Sequence, residues 1–365
     1  MKKNSLLISA LALTALFFTS CRTELYVQEE QGYTFEKITD ENVDQIVRPK
    51  ITIGNRYGNV ETWAQYLAID ASKDGQSLGF VAQKNHNWNI FIRPVGSHST
   101  SMQRTYRNIV TAFCYSPNSE NICFSELADN GHYQLYITNA KQGSSIQKIS
   151  PDNVSDFAPR YSTDGKRIFF ERWNGLQYSI WSYDLAKGTF YNHCYGECPF
   201  PINDEELICT RRKEDGHSSI WKINYVKGTE IQILSHKDRS FTTPSVSPDG
   251  KWILFVSSVK VKRNFLFGGK NQLDVFVVPS DGSAAPTQLT FDHGNDYSPV
   301  WSADGKFIYY ISQRGTKQGD YNIWKINFPL YGSSIRDNND NSNYNNKNNN
   351  DDKKNKSSLP KKVGK

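Results

Sequence analysis

Five side chains in this 365-residue sequence carry groups that acid–base or metal chemistry needs: Asp156, His236, Asp238, His293 and Asp296. Imidazole titrates near neutrality and ligates transition metals, while carboxylates serve as bases or as hard ligands. Asp156 and Asp296 both stand three residues before a proline, so they share one position of a repeating phrase. A carboxylate at such a position also suits a simpler task, closing a turn by accepting backbone N–H bonds. Stronger catalytic signatures do not occur: there is no HExxH, P-loop or GxGxxG run. No Cys-x-x-Cys pair occurs either, which removes the commonest zinc pattern. We therefore expect no catalytic residue, no resident metal and no cofactor, and treat the five groups as a candidate ligand-binding face.

The elements that would position these groups announce themselves as a repeat. Ser247-Pro248-Asp249-Gly250-Lys251, Ser302-Ala303-Asp304-Gly305-Lys306 and Ser162-Thr163-Asp164-Gly165-Lys166 are its clearest copies, with weaker ones around Asp74, Asn118 and Asp204. Asp-Gly and Asn-rich pairs tolerate positive φ and close tight hairpins. An apolar–aromatic pair follows each turn: Ile90-Phe91, Leu135-Tyr136, Ile180-Trp181, Ile220-Trp221, Val275-Phe276 and Ile323-Trp324. From turn residue to aromatic the spacings are 17, 18, 17, 17, 27 and 20 residues. A fourth apolar stretch closes each unit, as in Ile146-Gln147-Lys148-Ile149-Ser150 and Thr287-Gln288-Leu289-Thr290. Four strands per repeat, six times over, predict an all-β fold, a six-bladed β-propeller.

This phrase, with its Ile-aromatic strand and Gln-Leu-Thr strand, resembles the WD40-like repeats of the TolB propeller family over residues 34–328. The resemblance implies a binding module more than an enzyme. TolB propellers bind a peptidoglycan-associated lipoprotein, but TolB also carries an N-terminal α/β domain and is not lipidated. The sequence has neither room nor pattern for that domain, so the likeness implies a TolB-like binder rather than a Tol component. Similar propellers precede the hydrolase domain of prolyl oligopeptidases, for which no length remains here. One propeller lyase family acting on pectin fragments uses a histidine metal site at its channel mouth. Its ligands do not match residue by residue, so a metal-assisted carbohydrate lyase or hydrolase is the alternative, and a structural subunit of a secretion or motility complex a third.

The last repeat stops after its third strand. Its missing strand has a counterpart at the other end: the run from Phe35 to Asp44 reads like that from Ile146 to Ser155. Residues 34–39 are expected to close the final blade and cover the open edge of the seam.

Lys2-Lys3, the apolar run from Leu6 to Phe18, and Phe18-Thr19-Ser20-Cys21 resemble a bacterial lipoprotein signal. The expected organisation is a signal peptide at 1–20, lipid attachment at Cys21, a tether at 21–33, a propeller at 34–329 and an Asn/Lys-rich disordered tail at 330–365. Arg22, where an Asp would favour retention, points by resemblance to an outer-membrane lipoprotein, more on the periplasmic side than the cell surface. The partners implied are the membrane through the lipid anchor and an envelope protein or peptidoglycan-associated partner.

The net charge of +6 sits at the ends, leaving residues 4–329 neutral, so no nucleic-acid partner is expected. Blade five carries an insertion with Lys262, Arg263, Phe265, Leu266 and Phe267, a candidate partner-binding finger. Of the cysteines beyond Cys21, Cys194 and Cys198 are close enough in sequence to pair. Cys123 and Cys209 read as buried thiols in equivalent strand positions, and Cys114 completes an odd set.

Overall fold

A serine and an acidic residue build each hairpin turn. Ser162 Oγ donates to Asp164 Oδ1 at 2.7 Å and accepts the Arg167 amide at 2.9 Å. Asp164 Oδ1 accepts the Lys166 amide at 3.0 Å, and Gly165 takes the positive φ of 72° that the turn requires. The same arrangement recurs at Ser72/Asp74, Ser116/Asn118, Ser247/Asp249 and Ser302/Asp304. Blade four departs from it. There Asn203 Oδ1 accepts the amides of Glu205 and Glu206, so Asn203 rather than Asp204 closes the turn.

The computed structural model describes residues 27–39, 50–55, 58–63, 68–84, 87–96, 101–107, 109–141, 145–261, 270–292, 294–314 and 321–328. Two short strands, β1 (Val27–Glu30) and β2 (Tyr33–Lys37), precede a separate hairpin of β3 (Lys50–Asn55) and β4 (Gly58–Trp63). Blade one is β5 (Ile69–Ala71), β6 (Ser77–Lys84), β7 (Asn87–Pro94) and β8 (Met102–Gln103). Blade two is β9 (Val110–Tyr115), β10 (Asn121–Leu127), β11 (Tyr133–Asn139) and β12 (Ile146–Lys148). Blade three is β13 (Ser155–Tyr161), β14 (Arg167–Trp173), β15 (Tyr178–Asp184) and β16 (Thr189–Tyr195). Blade four is β17 (Glu197–Pro201), β18 (Glu206–Arg212), β19 (Ser218–Asn224) and β20 (Thr229–Leu234). Blade five is β21 (Phe241–Val246), β22 (Trp252–Val261), β23 (Lys270–Pro279) and β24 (Thr287–Gln288). Blade six has β25 (Asp296–Trp301), β26 (Phe307–Ser312) and β27 (Asn322–Asn327). All blade sheets are antiparallel, as the short hairpin connections demand.

The six-bladed reading holds, and so does the closure. β2 pairs with β27 through Phe35↔Ile326, Glu36↔Lys325 and Lys37↔Trp324. A hydroxyl marks this strand as a true outer strand of the repeat. Thr39 Oγ1 accepts the Ile323 amide at 2.8 Å, as Thr105 does for Ile90, Ser150 for Leu135 and Thr290 for Val275. The sheet then extends further than expected, because β1 pairs with β2 and gives the last blade five strands. Those four residues fall in the segment read as tether.

In five of the six blades the aromatic of the third strand lies opposite an aromatic of the second strand. Phe80 faces Phe91, Phe124 faces Tyr136 and Phe255 faces Phe276, each pair near-parallel with centroids 5.5–6.0 Å apart. In blade four the partner of Trp221 is Cys209. Cys209 therefore stands where blade two has Phe124, not Cys123, because the blade-four turn begins one residue earlier than its acidic residue suggested. These rings fill the spaces between and within sheets, and most are fully buried.

Candidate binding face at the channel mouth

The innermost strands β5, β9, β13, β17, β21 and β25 surround the central channel. Four of them carry a bulge at the residue before a proline: Ala158, Cys198, Thr243 and Ser298 take φ of 47°, 50°, 51° and 53°. Such backbone is uncommon outside glycine. The proline lacks a ladder donor, which is tolerable on the edge strand of a sheet. The bulge bends the strand where the six blades crowd together.

At the hairpin end of these strands the channel opens into a cavity of about 440 Å³ whose wall draws on all six blades. Lys73, Arg160, Tyr161, Phe200 and Trp301 give that wall a mixture of cation, aromatic and apolar surface. Arg160 is only 7% exposed, with Nη1 donating to the carbonyls of Phe113 and Pro159 at 3.1 Å each. Asp70 is held by the amides of Tyr115 at 2.8 Å and Ala71 at 3.1 Å, with Lys73 Nζ 3.6 Å away. A second cavity of about 490 Å³ lies at the junction of blades six and one. There Arg93 Nη1 reaches the carbonyl of Ile38 at 2.6 Å, tying the closing strand to blade one.

Asp156 and Asp296 lie at the other ends of these strands. Asp156 has no exposed surface, and its carboxylate takes both donors of the Arg172 fork at 2.6 and 2.9 Å and the Ser150 hydroxyl at 2.6 Å. Arg172 is itself stacked over Trp181 at 4.6 Å. This bidentate pair is a structural clamp. Asp296 occupies the same repeat position, equally buried, but the residue across from it is Ser312 instead of an arginine. Burial, then repulsion from Asp292, pushes its carboxyl well above the usual range. Asp274 nearby is pushed up to about 7 by burial, with its oxygens held by Gln272 and Gln288. Arg314 sits 3.5 Å from Asp292.

His236 and Asp238 are exposed on the loop after β20, where His236 Nδ1 accepts the Asp238 amide at 3.0 Å. They are not brought together with Asp156 or Asp296 by any contact described. His293, the insertion with Lys262, Arg263, Phe265, Leu266 and Phe267, and Cys21 lie outside the described residues. Among the described residues, no group of three or more His, Cys, Asp or Glu side chains is placed to hold a metal ion.

Sequence reasoning missed the hairpin-end wall, including Arg160 and Trp301. Its signal was present: both residues follow the repeat proline by one or two positions, on the strands that must be innermost. It missed Glu171 as well, buried on β14 with Oε2 accepting the Cys198 amide at 2.6 Å and its carboxyl pushed up to about 8 by burial.

These six sheets around a channel, with a mixed-chemistry cavity at one mouth, define a six-bladed β-propeller. The chain belongs to the TolB beta propeller domain family, whose profile matches residues 60–267. An uncharacterized protein of Agrobacterium fabrum is 24% identical over 204 residues, covering 54% of this chain and 67% of that protein. The putative TolB of Agrobacterium tumefaciens superposes with a TM-score of 0.55 at 16% identity, over 74% of this chain and 92% of its own. Oligogalacturonate lyase of Vibrio parahaemolyticus gives 0.56 at 11% identity, over 84% and 96%. At such identities the structural likeness shows the fold alone.

Proposed function

We propose that the protein is a non-catalytic binding scaffold of the cell envelope, held as an outer-membrane lipoprotein through Cys21, that engages an envelope protein or glycan. The observation that carries this reading is the cavity at the hairpin-end mouth, to which every blade contributes. A guanidinium, a lysine and several aromatic side chains around one opening suit recognition of an inserted loop or chain end, where polar groups orient and aromatics supply contact area. Membership of the TolB propeller family supports the same reading. In this scheme residues 1–20 are removed, 21–33 include the tether and 330–365 form a solvated tail. The exposed loop residues His236, Asp238 and the blade-five insertion form a second face for a partner.

The test is a crosslinked pull-down from native membranes comparing wild type with Thr163→Trp. Thr163 is exposed on the cavity rim, so the indole blocks the opening without entering the core. Loss of at least about tenfold in captured partner at unchanged melting temperature, equivalent to 1.4 kcal/mol or more, supports the channel as the working mouth. Undiminished capture moves the site to the other face. Stoichiometric bound metal that disappears on changing His236 to Ala favours a carbohydrate lyase or hydrolase instead. Labelling with a fatty-acid probe that persists in Cys21→Ala removes the anchor from the scheme.

A further inference from the structure

We propose that Cys194 and Cys209 form a reactive pair that closes to a disulfide across the seam between blades three and four, making this seam the modification site for a thiol–disulfide oxidant. The argument starts from the packing. Cys209 on β18 occupies the position that blades one, two, three and five fill with Phe80, Phe124, Phe170 and Phe255. A thiol in place of a ring leaves room, and the neighbouring blade moves into it. Gly196, the single residue between β16 and β17, sits so close that a Cβ there would stand 3.1 Å from Cys209 Sγ and 2.9 Å from Ile180 Cδ1. Cys194, directly opposite Ile180 on β16, packs on the same apolar cluster. The two thiol groups influence each other's proton affinity across that cluster. Both cysteines thus lie within one inter-blade apolar contact.

The surroundings divide the labour between the two thiols. Cys194 is half-buried on an outermost strand, whereas Cys209 has no exposed surface. Arg211 lies two residues along β18 from Cys209, with Nε on the Tyr195 carbonyl at 3.0 Å and its fork on Glu230 at 2.6 Å. The Cys209 side chain and the Arg211 charge lower the proton affinity of Cys194, while Cys194 and burial raise that of Cys209. The remaining described thiols lack this combination. Cys114 and Cys123 face each other on β9 and β10 but are 2% and 0% exposed, and burial pushes both thiols up. Cys198 is turned toward Glu171 and pushed up in the same way.

The chemistry balances as an ordinary exchange. The Cys194 thiolate attacks one sulfur of an external disulfide, forming a mixed disulfide and expelling the first thiolate. Cys209 gives up its proton and attacks Cys194 Sγ, forming the Cys194–Cys209 bond and expelling the second. The protein loses two hydrogens, and the oxidant's disulfide becomes two thiols.

The probe is oxidised glutathione applied to the folded full chain, followed by peptide mapping without reductant. The expected result is one internal link, Cys194 to Cys209, two fewer titratable thiols and a higher melting temperature. Cys209→Ser is expected to stop at a glutathione adduct on Cys194, and Cys194→Ser to leave its thiols unreacted. A link from Cys194 to Cys198 or from Cys114 to Cys123, a persistent adduct on wild-type Cys194, or no reaction until the chain is denatured would each overturn the proposal. Mapping of the wild-type protein decides the matter alone if either variant does not fold.

Discussion

Two aspartates at one repeat position show how little of a side chain's role lies in its own identity. Asp156 and Asp296 are equally buried, yet one faces Arg172 and the other Ser312. The equivalence was legible from the proline spacing. The difference was not, because the partner comes from the next strand and depends on register. Removing the partner tests it: Arg172→Met strands a buried carboxylate and is expected to cost about 3–5 kcal/mol in denaturant unfolding. Replacing Asp156 with Asn as well, in the Arg172→Met background, should recover part of that loss, since the buried charge is then gone. Glu171 offers a pH-dependent counterpart. Its carboxyl is held at about 8 in the fold against 4.5 unperturbed. Between those values the unfolded chain has released its proton and the native state has not, so the stabilisation is complete below 4.5 and is lost as pH rises through 8. Melting temperature measured across this window should fall with pH in wild type. Glu171→Gln, which keeps an oxygen for the Cys198 amide, should flatten that fall by roughly 2–4 kcal/mol. An unchanged slope in the variant would show that Glu171 ionises normally.

Among elements, the closing strand was the most legible and its neighbour the least. The run from Phe35 to Thr39 copies an outer strand in sequence, and its threonine makes the same hydroxyl–amide bond that three other blades make. β1 has no such copy, since Val-Gln-Glu-Glu carries no repeat pattern. It forms because an edge is available to pair with and because Arg314 holds it. That guanidinium donates to Glu30 at 3.0 Å and lies 3.9 Å from the Phe35 ring centre. Two substitutions separate these contributions. Thr39→Val leaves the buried Ile323 amide without its acceptor and should cost about 1–3 kcal/mol, with faster amide exchange at Ile323. Arg314→Met should loosen β1 and β2 toward proteolysis at their shared turn while the exchange rates of blades two to four stay unchanged. Equal loosening around the whole ring would mean that the clamp acts globally, not at the seam.

At the scale of the whole molecule, hairpin turns and aromatic spacing fixed the number of blades, whereas the working mouth emerged only when the six inner strands were brought around one axis. Arg160, Tyr161, Phe200 and Trp301 come from three blades and share no sequence window. The ring also distributes stability unevenly between the chain's two ends. The N-terminal strands complete blade six, so a chain starting after residue 39 leaves β27 with an unpaired edge, a template for association between copies. Ten asparagines with few apolar groups beyond residue 332 cannot contribute a core. The two truncations should therefore behave oppositely. Ending the chain at residue 329 is expected to leave the melting temperature within about 1 °C of the full protein, a change well under 1 kcal/mol. Starting it at residue 40 should lower the melting temperature and produce concentration-dependent association in light scattering. A monomeric, equally stable N-terminal truncation would show that three strands suffice for the last blade and that closure by β2 contributes little to the ring.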